Sequence, residues 1–431
     1  MTVAAVRPST ASAPDVDEIR AQFPALERVH GGHRVAYFDG PGGTQVPQSV
    51  ADATRDYLLH HNANSHWAYP TSLETDAIID AARAAAADLL NASPNEVAFG
   101  ANMTSLAFSL SRALAPTISP GDEIVITELD HHGNVAPWTR LAAERGAVIR
   151  MVRMRTDTYS LDWSDLEQAI GPRTKLVAIG AASNALGTVT DVARAAALAH
   201  AQGAHVFVDA VAYVPHALTD VEAMGCDFLA CSTYKFYGPH LGVLYGRHEL
   251  LTRLDCAKLA PAPAHAPDRW ETGTLNFEAL AGTTAAIDFM ASLGGSAGFG
   301  ADDSRRAKLA RAYHALHARS APLFASLWRG LASIPGVVLH GAPPTDAPRS
   351  PTVSFIVKGV DSHTVATRLA SEAGVFAPNG IFYAATIADR LGVTGSGWVR
   401  AGFACYTTEE EVERLVTTVR TIATGAGVRS W

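Results

Sequence analysis

The chain has 431 residues, of which 48% are hydrophobic and 18% are charged, and its formal net charge is −8 at pH 7. This length predicts two domains with a large buried core, and the composition argues against intrinsic disorder. The negative charge gives no reason to expect binding to nucleic acid or an anionic membrane, and no apolar run reaches the roughly 20 residues that a membrane-spanning helix needs.

The first 20 residues contain no continuous apolar segment, so we interpret them as a polar leader and not as a secretion signal. The four cysteines are Cys226, Cys231, Cys256 and Cys405, and they show neither a CxxC spacing nor the spacing to histidine of a metal site. We therefore expect reduced thiols, no metal and a cytoplasmic location.

Between residues 95 and 250, short apolar runs alternate with helical stretches. The runs are rich in Val and Ile and span residues 96–100, 123–127, 148–154, 175–183, 205–210, 228–233 and 242–246. Residues 75–90 and 192–201 are alanine-rich and predict helices. This alternation predicts an α/β domain with a seven-stranded, mainly parallel sheet that is covered by helices on both faces.

After residue 300 the pattern indicates a smaller α+β domain. A long amphipathic stretch at 302–331 precedes strands near 337–340, 351–360 and 399–406, with a helix near 362–373. Thr407 or Thr408, followed by Glu410 and Glu411, predicts the start of a last helix. We expect an N-terminal segment at 1–30 that packs with the small domain, a large domain at 31–299 and a small C-terminal domain at 300–431.

Polar side chains follow four of the predicted strands at the point where each strand ends. Asp209 lies at the end of the run at 205–210, and Lys235 follows the run at 228–233. His131 and Asn102 follow two earlier runs. Because ligands of parallel sheets bind beyond the carboxyl ends of the strands, we expect these side chains to converge on one site.

Lys235 is one of only five lysines, and it follows a mostly apolar run. A lysine in this position is partly desolvated, which lowers the pKa of its amine and favours the neutral form that a Schiff-base nucleophile requires. The alternative is a lysine that extends its ammonium group from a strand end into solvent.

Asp209 and His131 support this hypothesis, although each has a structural alternative. A carboxylate that ends an apolar strand is costly when buried alone, and a pyridinium nitrogen would pair with it; otherwise Asp209 is a helix cap. His131 and His132 lie beside Asp130 but have no third ligand at a useful spacing. We therefore prefer a histidine ring stacked on an aromatic cofactor to a metal site, and a histidine bonded to the backbone stays open.

Thr104, Ser232 and Tyr234 carry hydroxyl groups that, together with a helix N-terminus, are suited to a phosphate. Each of these residues is a weak signal by itself. The turn-rich stretch GPGG at 40–43 lacks the spacing of a nucleotide-binding loop, so we do not expect a nucleotide there.

Together these residues lie in nine ordered motifs that resemble the class V aminotransferase family, and within it the cysteine desulfurase-like proteins. The motifs are YFDGPGGTQVP at 37–47, HHNANSH at 60–66, FGANMTS at 99–105, ELDHHGNVAPW at 128–138, SNALGT at 183–188, VFVDAVAYVPH at 206–216, STYKFYGPHLG at 232–242, WETGTLN at 270–276 and VRAGF at 399–403. The resemblance implies pyridoxal 5'-phosphate as the cofactor and the fold-type I architecture.

The resemblance also implies roles around the cofactor. Lys235 would hold pyridoxal phosphate as a Schiff base, Asp209 would pair with the ring nitrogen, and His131 would stack on the ring. Further contacts to the cofactor, including its phosphate, would come from Met103, Thr104, Asn184, Ser232 and Tyr234.

Other matching residues would contact the substrate or a second subunit. Arg400 would bind the carboxylate of an amino-acid substrate through two hydrogen bonds, with Asn184 and His66 near it. Gly273 and Thr274 would reach the cofactor phosphate of a partner subunit, which implies a homodimer with shared active sites.

The sequence departs from the desulfurase pattern at two places. Ala212 stands where such enzymes carry a glutamine that contacts the cofactor, and FAPNGIFYAA at 376–385 corresponds to the loop with their catalytic cysteine. Tyr383 takes the cysteine position, and Pro378 replaces an arginine. Because tyrosine cannot carry a persulfide, we do not expect ordinary desulfurase chemistry, and we treat Tyr383 as a catalytic candidate beside Lys235 and His131.

The preferred hypothesis is a lyase that eliminates a thiol from an S-substituted cysteine and leaves pyruvate and ammonia. The alternative is an oxygen-dependent decarboxylation and oxidative deamination of such a conjugate in secondary metabolism. Desulfuration, transamination, epimerisation and cofactor binding without turnover also stay open. Trp67, Tyr69, Phe382 and Tyr383 indicate either an aromatic-walled pocket for a substrate larger than cysteine or ordinary interface packing.

Overall fold

The computed structural model of the chain describes residues 15–294, 304–344 and 348–426. The α-helices in these ranges are α1 Val16–Arg20, α2 Gln48–Asp56, α3 Pro70–Leu90, α4 Met103–Leu114, α5 Ala136–Arg145, α6 Trp163–Ala169, α7 Val192–His200, α8 Val221–Met224, α9 His248–Arg253, α10 Phe277–Ser292, α11 Arg305–Ala332, α12 Ser362–Ala373, α13 Ala385–Arg390 and α14 Glu409–Ala426.

The β-strands of the same ranges fall into one large sheet, one smaller sheet and two short pairs. They are β1 Val29–His30, β2 His33–Arg34, β3 Ala36–Tyr37, β4 Val97–Gly100, β5 Glu123–Thr127, β6 Val148–Val152, β7 Thr174–Gly180, β8 His205–Asp209, β9 Phe228–Ser232, β10 Gly242–Gly246, β11 Val337–His340, β12 Thr352–Val357, β13 Val375–Phe376, β14 Asn379–Gly380 and β15 Trp398–Gly402.

The large sheet has seven strands in the order β4-β10-β9-β8-β7-β5-β6. The strands from β9 to β6 are parallel to one another, and β10 runs antiparallel to both β9 and β4. Each of the seven apolar runs in the sequence forms one of these strands, so the prediction of a seven-stranded, mainly parallel sheet is confirmed. The run at 175–183 was expected to be a strand throughout, but strand β7 ends at Gly180.

Alternate side chains of the central strands supply two separate apolar cores. Val125 and Val208 belong to the core on one face of the sheet, whereas Ile124, Ile126 and Phe207 belong to the core on the other. Because β5, β8 and β9 are covered on both faces, their sequences are almost continuously apolar. Polar side chains therefore collect at the strand ends, which is where a ligand can reach them.

The smaller sheet is antiparallel with the order β11-β12-β15-β14 and contributes to a third apolar core with α11, α12 and α14. Helix α14 begins with a reciprocal cap, because the Thr408 amide donates to Glu411 Oε2 at 3.0 Å and the Glu411 amide donates to Thr408 Oγ1 at 3.3 Å. The helix start predicted from Thr407 or Thr408 is therefore at Thr408.

The N-terminal residues that the structure describes contact both parts of the chain. Arg20 donates to Glu411 at 2.9 Å, and the Phe23 ring packs on Tyr406, Phe289 and Tyr237. The domain limits stay predictions: the leader at 1–14 and the limit at 299/300 lie outside the described residues.

No helix within the described ranges combines the length and apolar character that crossing a bilayer demands.

Candidate active site

A cavity of about 900 Å³ lies at the carboxyl ends of β5, β7, β8 and β9, beside the N-terminus of α4. The site residues predicted from the sequence that line it are Met103, Thr104, His131, Asn184, Asp209, Ser232, Tyr234, Lys235, Tyr383 and Arg400. The fold brings these residues together from positions spread over nearly 300 residues of sequence. Asp39, Asp130 and His132 line the same cavity without having been assigned a role.

Lys235 lies in the short helical turn after β9 and is half-buried. Its Nζ donates to the carbonyl oxygen of Pro41 and lies 5.2 Å from the centre of the Tyr234 ring. Burial, and then the positive charge of Arg400, lower the pKa of Lys235 to about 8, against the opposing effects of Asp39 and Asp209. A neutral amine is therefore accessible in mildly alkaline solution.

Asp209 ends β8 and is buried, and one oxygen accepts from the Val211 amide at 2.9 Å. Burial raises the pKa of Asp209 to about 6, while the Val211 amide and the charge of Lys235 oppose that shift. No side chain in the described ranges donates a hydrogen bond to this carboxylate. A buried carboxylate with so few donors is suited to a cationic or protonated ligand group.

Asp130 differs from Asp209 because its oxygens already have side-chain partners. It accepts from Thr127 Oγ1 at 2.6 Å and from Asn134 Nδ2 at 2.8 Å, and Asn134 Oδ1 accepts from Trp138 Nε1 at 2.8 Å. Burial raises the pKa of Asp130 to about 7. This buried network fixes the segment that carries His131.

The His131 ring is held in one tautomer. Its Nδ1 accepts from the Gly133 amide at 2.9 Å, which places the ring proton on Nε2. Burial first, and then the charges of Lys235, His132 and Arg400, lower the pKa of His131 to about 4. The ring is therefore neutral and can stack on an aromatic ligand. No group of three potential metal ligands gathers among the described residues.

The N-terminus of α4 faces the same cavity and carries Met103 and Thr104 as its first two residues. Asn102 caps this helix by accepting from Ser105, and the Met103 amide donates to Ser232 Oγ at 3.0 Å. The Tyr234 ring stacks on His240 with its centre 4.8 Å away. Backbone amides and hydroxyl groups at a helix N-terminus are typical of a phosphate site.

Arg400 has little contact with solvent, because its side chain is only 4% exposed. Its Nη2 donates to Asp39 Oδ1 at 3.1 Å and its Nη1 donates to the Asn184 carbonyl oxygen at 3.1 Å. Its Nε is buried and has no partner within the described ranges. The Phe382 ring lies 3.9 Å from the guanidinium carbon. Arg400 is thus in the cavity but covered by neighbouring groups.

The loop with Phe382 and Tyr383 lies over the cavity in a strained conformation. Both residues have positive φ, 53° and 55°, in the left-handed region that bulky residues rarely occupy. The loop is held by two hydrogen bonds: Asn184 Nδ2 donates to the Phe382 carbonyl oxygen at 2.9 Å, and the His132 amide donates to that of Tyr383 at 2.8 Å. Tyr383 is 73% exposed, and its ring centre lies 5.4 Å from that of His131.

The turn at 39–43 forms a wall of the cavity that sequence reasoning did not assign. Pro41 accepts from Lys235, Asp39 pairs with Arg400, and Gly43 lies against the Tyr234 ring. A Cβ atom on Gly40 would lie 2.4 Å from the Phe403 carbonyl oxygen, so this approach requires glycine. The glycine-rich sequence after Asp39 could have indicated a close approach of this turn to the site, but we compared it only with nucleotide-binding loops.

Three predicted site residues lie away from this cavity. His66, Gly273 and Thr274 line a second cavity with Asp76, and His66 Nδ1 lies 3.0 Å from the Asp76 carboxylate. Within one chain they do not meet Lys235. Trp67 and Tyr69 are also outside the Lys235 cavity and are exposed, so only Phe382 and Tyr383 of the predicted aromatic wall contribute to it.

Comparison with known proteins identifies the family. The family model described as aminotransferase class-V matches residues 36–415. The chain belongs to this family of pyridoxal-phosphate-dependent enzymes, as the sequence motifs predicted, and pyridoxal phosphate is its cofactor.

The curated relatives and solved structures include several cysteine desulfurases. The chain is 32% identical over 426 residues to probable cysteine desulfurase 1 of Mycobacterium leprae, covering 95% of this chain and 66% of that protein. It is 33% identical over 417 residues to the aminotransferase-like protein FGM3 of Gibberella zeae, covering 94% of this chain and 98% of that protein. The chain spans 64% of the length of the Synechococcus elongatus cysteine desulfurase.

Among solved structures, the apo cysteine desulfurase of Thermococcus onnurineus NA1 superposes with a TM-score of 0.84 at 26% identity, over 98% of this chain and 100% of that one. This similarity confirms the fold-type I architecture that the sequence predicted.

Proposed function

We propose that this protein is an enzyme acting at the Cα atom of an amino acid, with Lys235 as the residue that binds the cofactor covalently. The observation that carries the proposal is that a lysine with a lowered pKa and a buried carboxylate with few donors, Asp209, line one cavity. When bound, pyridoxal phosphate supplies an electron-withdrawing ring that allows a bond at Cα to break heterolytically.

The residues of the cavity fit this cofactor. The Asp209 carboxylate has no side-chain donor among the described residues and would pair with the protonated ring nitrogen, while the neutral His131 ring would cover the face of the cofactor. Thr104, Ser232 and the N-terminus of α4 offer hydroxyl and amide donors for the phosphate. Asn184 Oδ1 is buried and has no hydrogen-bond partner in the described part of the chain, so it can accept from a donor of the cofactor or the substrate.

Loading of the cofactor-free protein should accelerate with pH up to about 8 and then level off. Only the neutral amine of Lys235 attacks the cofactor aldehyde, and burial holds the pKa of this amine at about 8, below its ordinary value of 10.5. The loading rate should rise roughly tenfold per pH unit below pH 7. Stopped-flow absorbance measures it, and a rate that keeps rising to pH 10 would contradict a buried lysine.

The reaction we favour is elimination of a thiol from an S-substituted cysteine. Lys235 Nζ would take the Cα proton, and the Cβ–S bond would break to release the thiol. One water molecule would then hydrolyse the remaining aminoacrylate to pyruvate and ammonia. Two features support this choice over desulfuration: no cysteine is among the residues that line the cavity, and Tyr383 lies at its mouth. The volume of about 900 Å³ also leaves room for a substituent on sulfur.

Incubation of the holoenzyme with a panel of S-alkyl and S-aryl cysteines should release pyruvate and the matching thiol in equal amounts, with and without oxygen. Mass spectrometry of the products measures both, and Lys235→Ala protein is the blank. Absence of pyruvate from every member of the panel would exclude the lyase. Products that have lost carbon dioxide and form only in air would establish the decarboxylating alternative, and alanine formed from free cysteine with release of its sulfur would establish a desulfurase.

A homodimer with shared active sites is part of this proposal. Gly273, Thr274 and His66 line the second cavity on the surface, where Leu259 is also exposed, and the exposed Trp67 follows His66 in the chain. Exposed apolar side chains of this kind are typical of subunit interfaces.

We also propose a cytoplasmic location, which the four free and buried cysteines support.

A further inference from the structure

Arg400 already has a carboxylate partner from its own chain. Asp39 Oδ1 accepts from Nη2 at 3.1 Å, and the Asp39 side chain is 45% exposed, whereas that of Arg400 is 4% exposed. The neighbouring Nε donor is buried and has no hydrogen-bond partner among the residues that the structure describes. The Nε and Nη2 atoms form one edge of the guanidinium, and such an edge can bind a carboxylate through two hydrogen bonds. Asp39 occupies only the Nη2 half of this edge.

The position of Asp39 depends on the absence of a side chain at residue 42. A Cβ atom on Gly42 would lie 2.1 Å from Asp39 Oδ1 and 2.4 Å from Oδ2, so even an alanine would displace the carboxylate. The backbone holds the turn in addition, because the amides of Gly42 and Gly43 both donate to the Asp39 carbonyl oxygen at 2.9 Å. The turn is therefore shaped to deliver this carboxylate to Arg400.

We propose that Asp39 is an internal competitor for the substrate-carboxylate site, and that a ligand carboxylate binds Arg400 by displacing it. This inference rests on the proposed function and on the role that the family resemblance implies for Arg400, which is to bind the substrate carboxylate. Asp39 neutralises the buried guanidinium while the site is empty. On binding, the ligand carboxylate takes Nη2 and the unpartnered Nε together, and the half-exposed Asp39 turns towards solvent.

The exchange makes Asp39 a residue that sets the affinity of the site for carboxylates. A ligand carboxylate has to outcompete a tethered one, so it must gain two hydrogen bonds where Asp39 makes one. A ligand that offers only a neutral group to Arg400 cannot repay the loss of the ion pair and leaves Asp39 in place. Asp39 thus weakens the binding of carboxylates through Arg400, whereas it leaves the binding of neutral analogues, which do not displace it, nearly unchanged.

Asp39→Asn and Gly42→Ala should each tighten carboxylate binding to the holoenzyme. The probe is (methylthio)acetate, which has no amino group to react with the cofactor, and its neutral match is (methylthio)acetamide. Isothermal titration should give a Kd for the carboxylate that is about tenfold lower in both variants. This change is near the low end of the effect expected for one charge-assisted hydrogen bond, because the Asp39 side chain is half-exposed and its ion pair is weakened by solvent. The Kd for the amide should change less than about twofold.

The two variants remove the competitor in different ways, so they control for each other. Asp39→Asn removes the charge, whereas Gly42→Ala keeps the charge and removes the space; φ at Gly42 is not positive, so alanine adds no backbone strain. In an Arg400→Met background, neither change should alter the carboxylate Kd. Carboxylate binding that is unchanged or weaker in either variant overturns the proposal, as does binding that does not depend on Arg400. Turnover is not measured, so these outcomes are independent of whether pyruvate is formed.

Discussion

Replacing Lys235 with alanine should abolish covalent binding of pyridoxal phosphate and lower turnover by at least about a thousandfold. The Lys235 amine is the half-buried group in the cavity whose pKa is lowered to about 8, and the same Nζ is assigned to the Cα proton. One substitution therefore removes both the covalent anchor and the base. The visible absorption of the holoenzyme and the mass of the borohydride-reduced protein measure the first loss, and product formation measures the second.

Lys358→Ala is the matched control, because Lys358 is exposed and lies outside the cavity. This variant should keep the colour, the reduced adduct and the activity of the unmodified protein. If the Lys235→Ala protein still gives a borohydride-stable adduct of the cofactor mass, a different lysine is the attachment site.

Replacing Asp209 with asparagine should weaken cofactor binding by roughly 10² to 10³-fold, which corresponds to about 3–4 kcal/mol. The buried carboxylate has a pKa of about 6, so it is ionised at neutral pH and can hold a proton on the ring nitrogen of the cofactor. Asparagine keeps the shape but removes the charge. Equilibrium titration of the cofactor-free protein with pyridoxal phosphate gives the affinity, and turnover at saturating cofactor should fall in addition.

Asp227→Asn separates this effect from the general cost of losing a buried carboxylate. Asp227 is buried, but it pairs with His200 at 2.8 Å and does not line the cavity. Its substitution should lower thermal stability without changing the cofactor affinity. Equal losses of cofactor affinity in the Asp209 and Asp227 variants would contradict a pairing of Asp209 with the ring.

The large sheet was predictable because each of its strands carries a local signal. Runs such as EIVIT at 123–127 are too short for helices, and their central residues are continuously apolar, as is typical of strands buried on both faces. The convergence of Lys235 and Asp209 followed from the same rule, because both come after strands of one parallel sheet. The end of β7 was harder to predict, because residues 181–183 are still apolar or small although the strand pairing ends at Gly180.

Asp39 escaped prediction because its role depends on tertiary contacts. It lies before the large sheet in the chain and reaches Arg400 only because the small-domain strand β15 packs against the turn at 39–43. Glycine at 42 signals a close approach, but the sequence does not say which group approaches. The left-handed conformations of Phe382 and Tyr383 were also unpredictable, because long-range hydrogen bonds from Asn184 and His132 hold them.

His66, Gly273 and Thr274 show a different limit of reasoning from one chain. Their motifs matched the family, yet they line a cavity that is separate from Lys235. The resemblance explains this by assigning Gly273 and Thr274 to the site of a second subunit, which stays a prediction.

The burial of all four cysteines has a practical consequence for labelling. Burial raises the pKa of Cys405 to about 12 and that of Cys226 to about 12, so neither thiol offers a reactive thiolate near neutral pH. Maleimide reagents should therefore label the native protein very little. A cysteine placed at the exposed position of Tyr383 would carry a fluorophore at the mouth of the cavity, where its emission would report ligand binding beside the loop.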